Sequence, residues 1–161
     1  MKWRSGFTLV ELMVVIALIA LLLTWGIPAY STWQQKHTVE SDVVQLFSDL
    51  QLARTNAYTT KTATGIWWNG NSYQIQEVAA GKTAPDNTGT QITGMVSPKN
   101  TISGSQVLTF DGRGFWDPLN NATSATFYIS PNLGATPNCV TVSLTRISLG
   151  KMNGQNCIPL Q

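Results

Sequence analysis

Charge is what this sequence has least of. Lys, Arg, Asp and Glu make up 11% of its 161 residues, against roughly 25% in an average soluble domain. Between Phe7 and Ile27 the only charged residue is Glu11. Histidine occurs once, at His37, and cysteine twice, at Cys139 and Cys157. Each scarcity excludes a class of function. A net charge of +2 is too small for a polybasic nucleic-acid binder held by bulk charge. One His and two Cys do not make a four-ligand metal site. Neither His-Glu-x-x-His nor Gly-x-Ser-x-Gly occurs, so the common zinc-protease and serine-hydrolase signatures are missing. Gly81-Lys82-Thr83 matches the end of a phosphate-binding loop, but Gln76 stands where the first glycine is required, and the stretch reads as a solvated turn. The acidic residues outside the apolar run are scattered and offer no pair for acid–base work. No catalytic set, no metal site and no cofactor is expected, and the chain does not read as an enzyme.

What is present is apolar. Hydrophobic residues make up 43% of the chain and there are six Trp, so disorder is excluded. The length fits one ordinary domain plus an extra element. That element is the run from Phe7 to Ile27. As a helix its 21 residues span about 31 Å, the thickness of a bilayer core. Lys2 and Arg4 precede it, which predicts a single span with the amino end on the cytoplasmic side. Three readings compete. In a cleaved secretory signal, Ala29-Tyr30-Ser31 would offer a cleavage site, but the run is longer than a signal core and carries Glu11. A plain anchor explains the length and not the glutamate. The third reading explains Gly6 and Glu11 together.

Gly6-Phe7-Thr8-Leu9-Val10-Glu11-Leu12, after a short basic leader and before a long apolar run ending near Gly26 and Pro28, resembles the type III signal of type IV pilins and type II secretion pseudopilins. The resemblance implies that a prepilin peptidase cuts after Gly6 and that the new amino terminus, Phe7, is N-methylated. It also implies an assembly role for Glu11. A carboxylate in a bilayer needs a partner, and the amino terminus of a neighbouring subunit would supply a positive charge in the filament core. Removing six residues from 161 leaves 155 and takes Lys2 and Arg4 away, so the side-chain charge falls from +2 to 0.

Past Pro28 the periodicity changes. Val39, Val43, Leu46, Phe47, Leu50, Ala53 and Ala57 recur at spacings of three and four, one face of an amphipathic helix ending near Thr60. Ser41, Asp42, Gln45, Ser48, Asp49 and Gln51 lie mostly off that face. Gly26 and Pro28 mark a kink or local melting between the halves. Residues 62–68 and 73–78 read as a hairpin about Asn69-Gly70, and residues 79–91 as a loop. Further strands are predicted at Ile102–Phe110, Gly114–Trp116, Ala125–Ile129 and Val140–Leu149. Threonines at alternating positions suit strands with one wet face. The fold class is α+β: a long amino-terminal helix packed on a small antiparallel, β-sandwich-like domain. The expected segments are a leader, 1–6, a membrane or filament-core helix, 7–28, an amphipathic helix, 29–60, and a β-rich domain, 61–161.

Two cysteines beyond a membrane segment suit an oxidising compartment. A Cys139–Cys157 bond would close a loop of about 18 residues and stabilise it by roughly 3 kcal/mol on the chain-entropy model. The alternative is two free thiols. His37 reads as a solvated helix residue. Trp67, Trp68 and Trp116 read as sheet packing, with a stacking surface for a sugar or base as the alternative.

Leu52-Ala53-Arg54-Thr55-Asn56-Ala57, near the helix end, is similar to a segment of minor pilins of the FimT and FimU type and of the pseudopilin GspH. That branch implies a sandwich-like domain, a place in a tip complex priming pilus assembly, and partners that include other minor pilins, the major pilin, the prepilin peptidase and the inner membrane. The globular domain would be periplasmic and then extracellular on the pilus. A type II secretion pseudopilin is the alternative. Some FimT-like pilins bind DNA through Gly-Arg-x-Arg near the carboxyl end. The corresponding Leu144-Thr145-Arg146-Ile147-Ser148 keeps one arginine, Arg146, with Thr145 and Ser148 replacing the glycine and the second arginine. Lys151 and Arg113 are the further candidate phosphate contacts. Two or three cations predict weak DNA binding at best.

Overall fold

A computed structural model describes residues 6–105, 107–118 and 122–160, and for 25–29 the backbone alone. The leader residues Met1 to Ser5 lie outside the described residues. The chain forms two compact units, Met1–Gln35 and Lys36–Gln161. One helix, α1, runs from Leu9 to Thr60 and contributes to both. Its assignment is unbroken at Gly26 and Pro28, so the local melting predicted there is not found.

In the second unit the periodic face predicts the core. Val39, Val43, Leu46, Leu50, Ala53 and Ala57 are all buried, and Phe47 is partly so. α1 stops at Lys61, which takes φ 59°, the left-handed conformation that ends many helices. The strands are β1 (Thr64–Asn69), β2 (Ser72–Glu77), β3 (Ile102–Gly104), β4 (Leu108–Phe110), β5 (Ser124–Ile129), β6 (Cys139–Ser143), β7 (Ile147–Asn153) and β8 (Asn156–Pro159). They form two antiparallel sheets, ordered β2-β1-β4 and β3-β5-β6-β7-β8. Ile66, Tyr73, Ile75, Leu108 and Phe110 from the first sheet share one core with Ala125, Phe127, Ile129, Val140, Val142 and Ile147 from the second and with the apolar face of α1. The α+β expectation holds.

The hairpin forms where predicted, with the turn one residue later. Asn69 pairs with Ser72, and Gly70, at φ 64°, is the first of two loop residues. Two predicted strands are each two strands. Ile102–Phe110 divides into β3 and β4, which belong to different sheets. Gly104 sits at the division with φ 128°, its α-carbon against the Thr126 carbonyl, where a side chain has no room. Val140–Leu149 divides into β6 and β7 at an exposed turn, Leu144 to Arg146. Gly114–Trp116 is no strand and makes one isolated bridge, Phe110 with Trp116. β8 was not predicted, since four residues containing a proline carry no strand signal.

The 79–91 segment contains no strand, but it is not a free loop. It and the following residues cover β2: Gln74 Nε2 donates to Thr93 O (2.7 Å) and Gln76 Nε2 to Asp86 O (3.1 Å), and both glutamines are buried. A Cβ at Gly65 would lie 2.7 Å from Pro85 Cγ, so the cover is seated directly on the sheet backbone.

Candidate functional site

The amino-terminal unit has its own local logic. Thr8 precedes the first helical residue, and its Oγ1 accepts the Glu11 amide proton (3.2 Å), while Leu12 N–H donates to Thr8 O (3.3 Å). Thr-x-x-Glu is the capping-box spacing. Glu11 therefore stands at the third helical position, where a negative charge is favoured by the helix dipole. Gly6 is exposed with open space around it, and Phe7 is 80% exposed. Leu9, Leu21 and Leu22 are each two-thirds exposed or more. Thr24 donates its hydroxyl to Ala20 O (2.9 Å), which hides its one polar group inside the helix. The exposed apolar surface from Leu12 to Leu23 is of the kind that marks contact with lipid or with other chains. Among the described residues, no helix is long and apolar enough to cross a membrane. The described apolar stretch of α1 ends at Thr24, and the sequence run continues to Ile27 through residues whose side chains are not described.

The three candidate cations do not converge. Arg113 is held in its own turn: Nη2 lies 2.7 Å from Asp111 Oδ2, and Nε donates to the same oxygen (2.8 Å). Burial pushes the Asp111 carboxyl up, but hydrogen bonds from the Phe115 amide and from Arg113 outweigh it and hold the group below its usual range. Arg146 is exposed beside the β6–β7 turn. The Arg113 turn approaches that turn, since Trp116 N–H donates to Leu144 O (3.2 Å). Lys151 is five residues further along β7, about 17 Å away at strand rise. So, among the described residues, an exposed arginine, an arginine paired with Asp111 and a distant lysine stand at the candidate phosphate contacts.

Trp116 is buried, and Trp68 packs between Tyr73 (ring centroids 5.2 Å) and Phe127 (5.9 Å), so these two indoles serve the core. Lys82 pairs with Asp86 at 3.4 Å in the turn begun by Gly81. His37 Nδ1 lies 3.8 Å from Glu40 on the same helix.

Two polar features organise the second unit. Asp49 was placed off the apolar face, but it is buried. Tyr73, fully buried, donates its hydroxyl to Asp49 Oδ2 at 2.6 Å, and Gln45 Nε2 donates to both carboxylate oxygens (3.1 and 3.2 Å). Burial, then the Asp49 carboxylate, push the Tyr73 hydroxyl pKa far above its ordinary 10.0. Helical spacing puts Asp49 off the core-facing stripe, and its burial comes from the sheet packed against it. Its partner, 24 residues away, has no local sequence signal. The second feature is the disulfide, Cys139 to Cys157. Cys139 pairs with Gly150, and Cys157 with Met152, so the bond joins β6 to β8 across the intervening β7. It passes over Gly150, where a Cβ would lie 2.5 Å from Cys157 Sγ and 3.1 Å from Cys139 Sγ.

A family model described as type II transport protein GspH matches residues 42–146, from within α1 to the end of the β6–β7 turn. The chain belongs to the GspH family. A second model, the prokaryotic N-terminal methylation motif, matches residues 4–27. This chain thus joins an N-terminal methylation motif to a GspH-family domain. Solved structures of the Pseudomonas aeruginosa type IV minor pilin FimU are similar in fold. One crystal form gives 22% identity and a TM-score of 0.54 over 78% of this chain and 96% of that one. A second gives 24% and 0.50 over 74% and 96%. Prepilin peptidase-dependent protein D of Escherichia coli (strain K12) is 49% identical over 47 residues, 29% of this chain and 32% of that protein. A Pseudomonas aeruginosa fimbrial protein is 39% identical over 57 residues, 35% of this chain and 34% of that protein. These matches span about a third of each curated relative.

Proposed function

We propose that this chain is a minor pilin of a type IV pilus that primes assembly as part of a complex at the filament tip. The observation that carries the reading is the joining, on one helix, of a processing signal with an uncovered apolar surface to a GspH-type sheet domain. In this reading the prepilin peptidase cuts after the exposed Gly6, and Phe7 becomes an N-methylated terminus. Residues 7–28 hold the subunit in the inner membrane, amino end cytoplasmic, until it is extracted into the filament core. The sheet domain is then periplasmic and afterwards outside the cell, against other minor pilins and the major pilin. The role is structural, with no catalysis and no cofactor.

Glu11 sets the register. The Thr8 cap fixes its carboxylate in the first turn, and in this reading the new amino terminus of a neighbouring subunit is its partner. Each group alone is costly in an apolar core, and pairing offsets much of that cost. Glu11→Ala should leave insertion and processing intact and remove the protein from sheared filaments. Normal incorporation of the variant would sink the assignment.

A type II secretion pseudopilin is the second reading, favoured by the description of the matching family. Deleting the gene separates the two: loss of surface pili supports the first, and loss of protein secretion with pili intact supports the second. DNA uptake has the least support, because Arg113 is paired with Asp111 and Lys151 stands apart from Arg146.

A further inference from the structure

The last strand is attached unlike the others. β8 is an edge of the five-stranded sheet, paired only with β7. Asn156, Ile158 and Pro159 are exposed, and only Cys157 is partly buried. β6 and β7, by contrast, bury Cys139, Val140, Val142 and Ile147. So β8 contributes almost no side chain to the core, and the one residue it does bury is bonded to Cys139. Among the described residues, its remaining hold is the β7 ladder and the Leu160 amide on Leu149 O (2.9 Å). Hydrogen bonds exposed to water on one side are weak compensation for ordering a terminal strand. The disulfide skips a strand to reach its partner, and Gly150 leaves the space for it to pass.

We propose that Cys139–Cys157 is a redox latch on β8. Oxidised, the chain carries the five-stranded sheet. Reduced, it releases β8 while β3, β5, β6 and β7 stay paired, and the edge of β7 lies open to pairing with another chain. Closing the latch is thiol–disulfide exchange with a protein disulfide of the oxidising compartment. The donor's S–S bond breaks, Cys139 and Cys157 lose two protons and two electrons to it, and the donor leaves as a dithiol. Oxidation thereby covers the β7 edge before the subunit meets its neighbours.

The test is hydrogen exchange on the full chain in detergent, oxidised against treated with a small dithiol. The β8 amides, with those of β7 that face it, should exchange at least about tenfold faster after reduction, as a locally opened unit does. The Val140 and Val142 amides should not change. Unchanged β8 protection overturns the latch, and so does equal loss of protection in β6, which would make the bond a support of the whole sheet. A second variant guards against misreading: Cys139→Ser in a chain ending at Asn153 should keep a cooperative thermal transition. Its failure to fold overturns the proposal.

Discussion

Tyr73→Phe removes one oxygen and leaves the ring in place against Trp68. The lost group is a hydroxyl donating at 2.6 Å to Asp49, a carboxylate only 7% exposed. A hydrogen bond to a charged acceptor contributes about 1.5–3 kcal/mol net. Gln45 keeps its two contacts at 3.1 and 3.2 Å, so the carboxylate retains a donor and the lower part of that range is expected. For a unit the size of Lys36–Gln161, this corresponds to roughly 5–10 °C in Tm. Because Tyr73 is raised above its ordinary 10.0 in the folded state, its contribution is complete below pH 10 and erodes as the pH rises beyond it. The assay is urea unfolding of the full chain in detergent, followed by tryptophan fluorescence, for wild type and variant at neutral and alkaline pH. A Tyr73→Phe protein within about 0.5 kcal/mol of wild type would refute the claim that this buried pair ties β2 to α1.

Gly150→Ala should slow disulfide formation and lower stability by about 1–3 kcal/mol, the usual cost of overpacking, because its Cβ would meet both sulfurs and the Ile158 carbonyl at 2.6 Å. Thiol titration during refolding and thermal melts check it, and wild-type oxidation kinetics would count against it. Asp111 is held below its ordinary 3.8, so its contribution is present above pH 3.8 and is lost as the pH falls below it. Asp111→Asn should flatten the acid limb of the stability curve over that window and leave the neutral region nearly level. An unchanged acid limb would show that the turn carbonyls, not the carboxylate, hold residues 111–115.

Much of this architecture is legible in the sequence because its causes are local. The apolar spacing from Val39 to Ala57 reports a helix packed on one side, and Gly70 in a polar turn reports a hairpin. The cap is equally local, with Thr8 and Glu11 three residues apart. What is not legible depends on distant partners. A strand-length apolar run cannot tell that Gly104 sends β3 and β4 to different sheets. Asp49 lies off the apolar stripe until Tyr73 is brought against it, and Gln74 and Gln76 are buried by the 79–96 segment, which carries no local signal of that contact. For the candidate site the split is the same. Gly6, Phe7 and Glu11 form one contiguous signal, whereas the separation of Lys151 from Arg146 and the capture of Arg113 by Asp111 follow from how β7 and the turns are set.

The central claim is that this chain is a processed filament subunit. Its most direct test is the intact mass and amino-terminal sequence of the protein recovered from sheared filaments. The account requires a chain that begins at an N-methylated Phe7. A filament-associated chain that still begins at Met1, one cut near Ala29, or absence from filaments of either machine would contradict it.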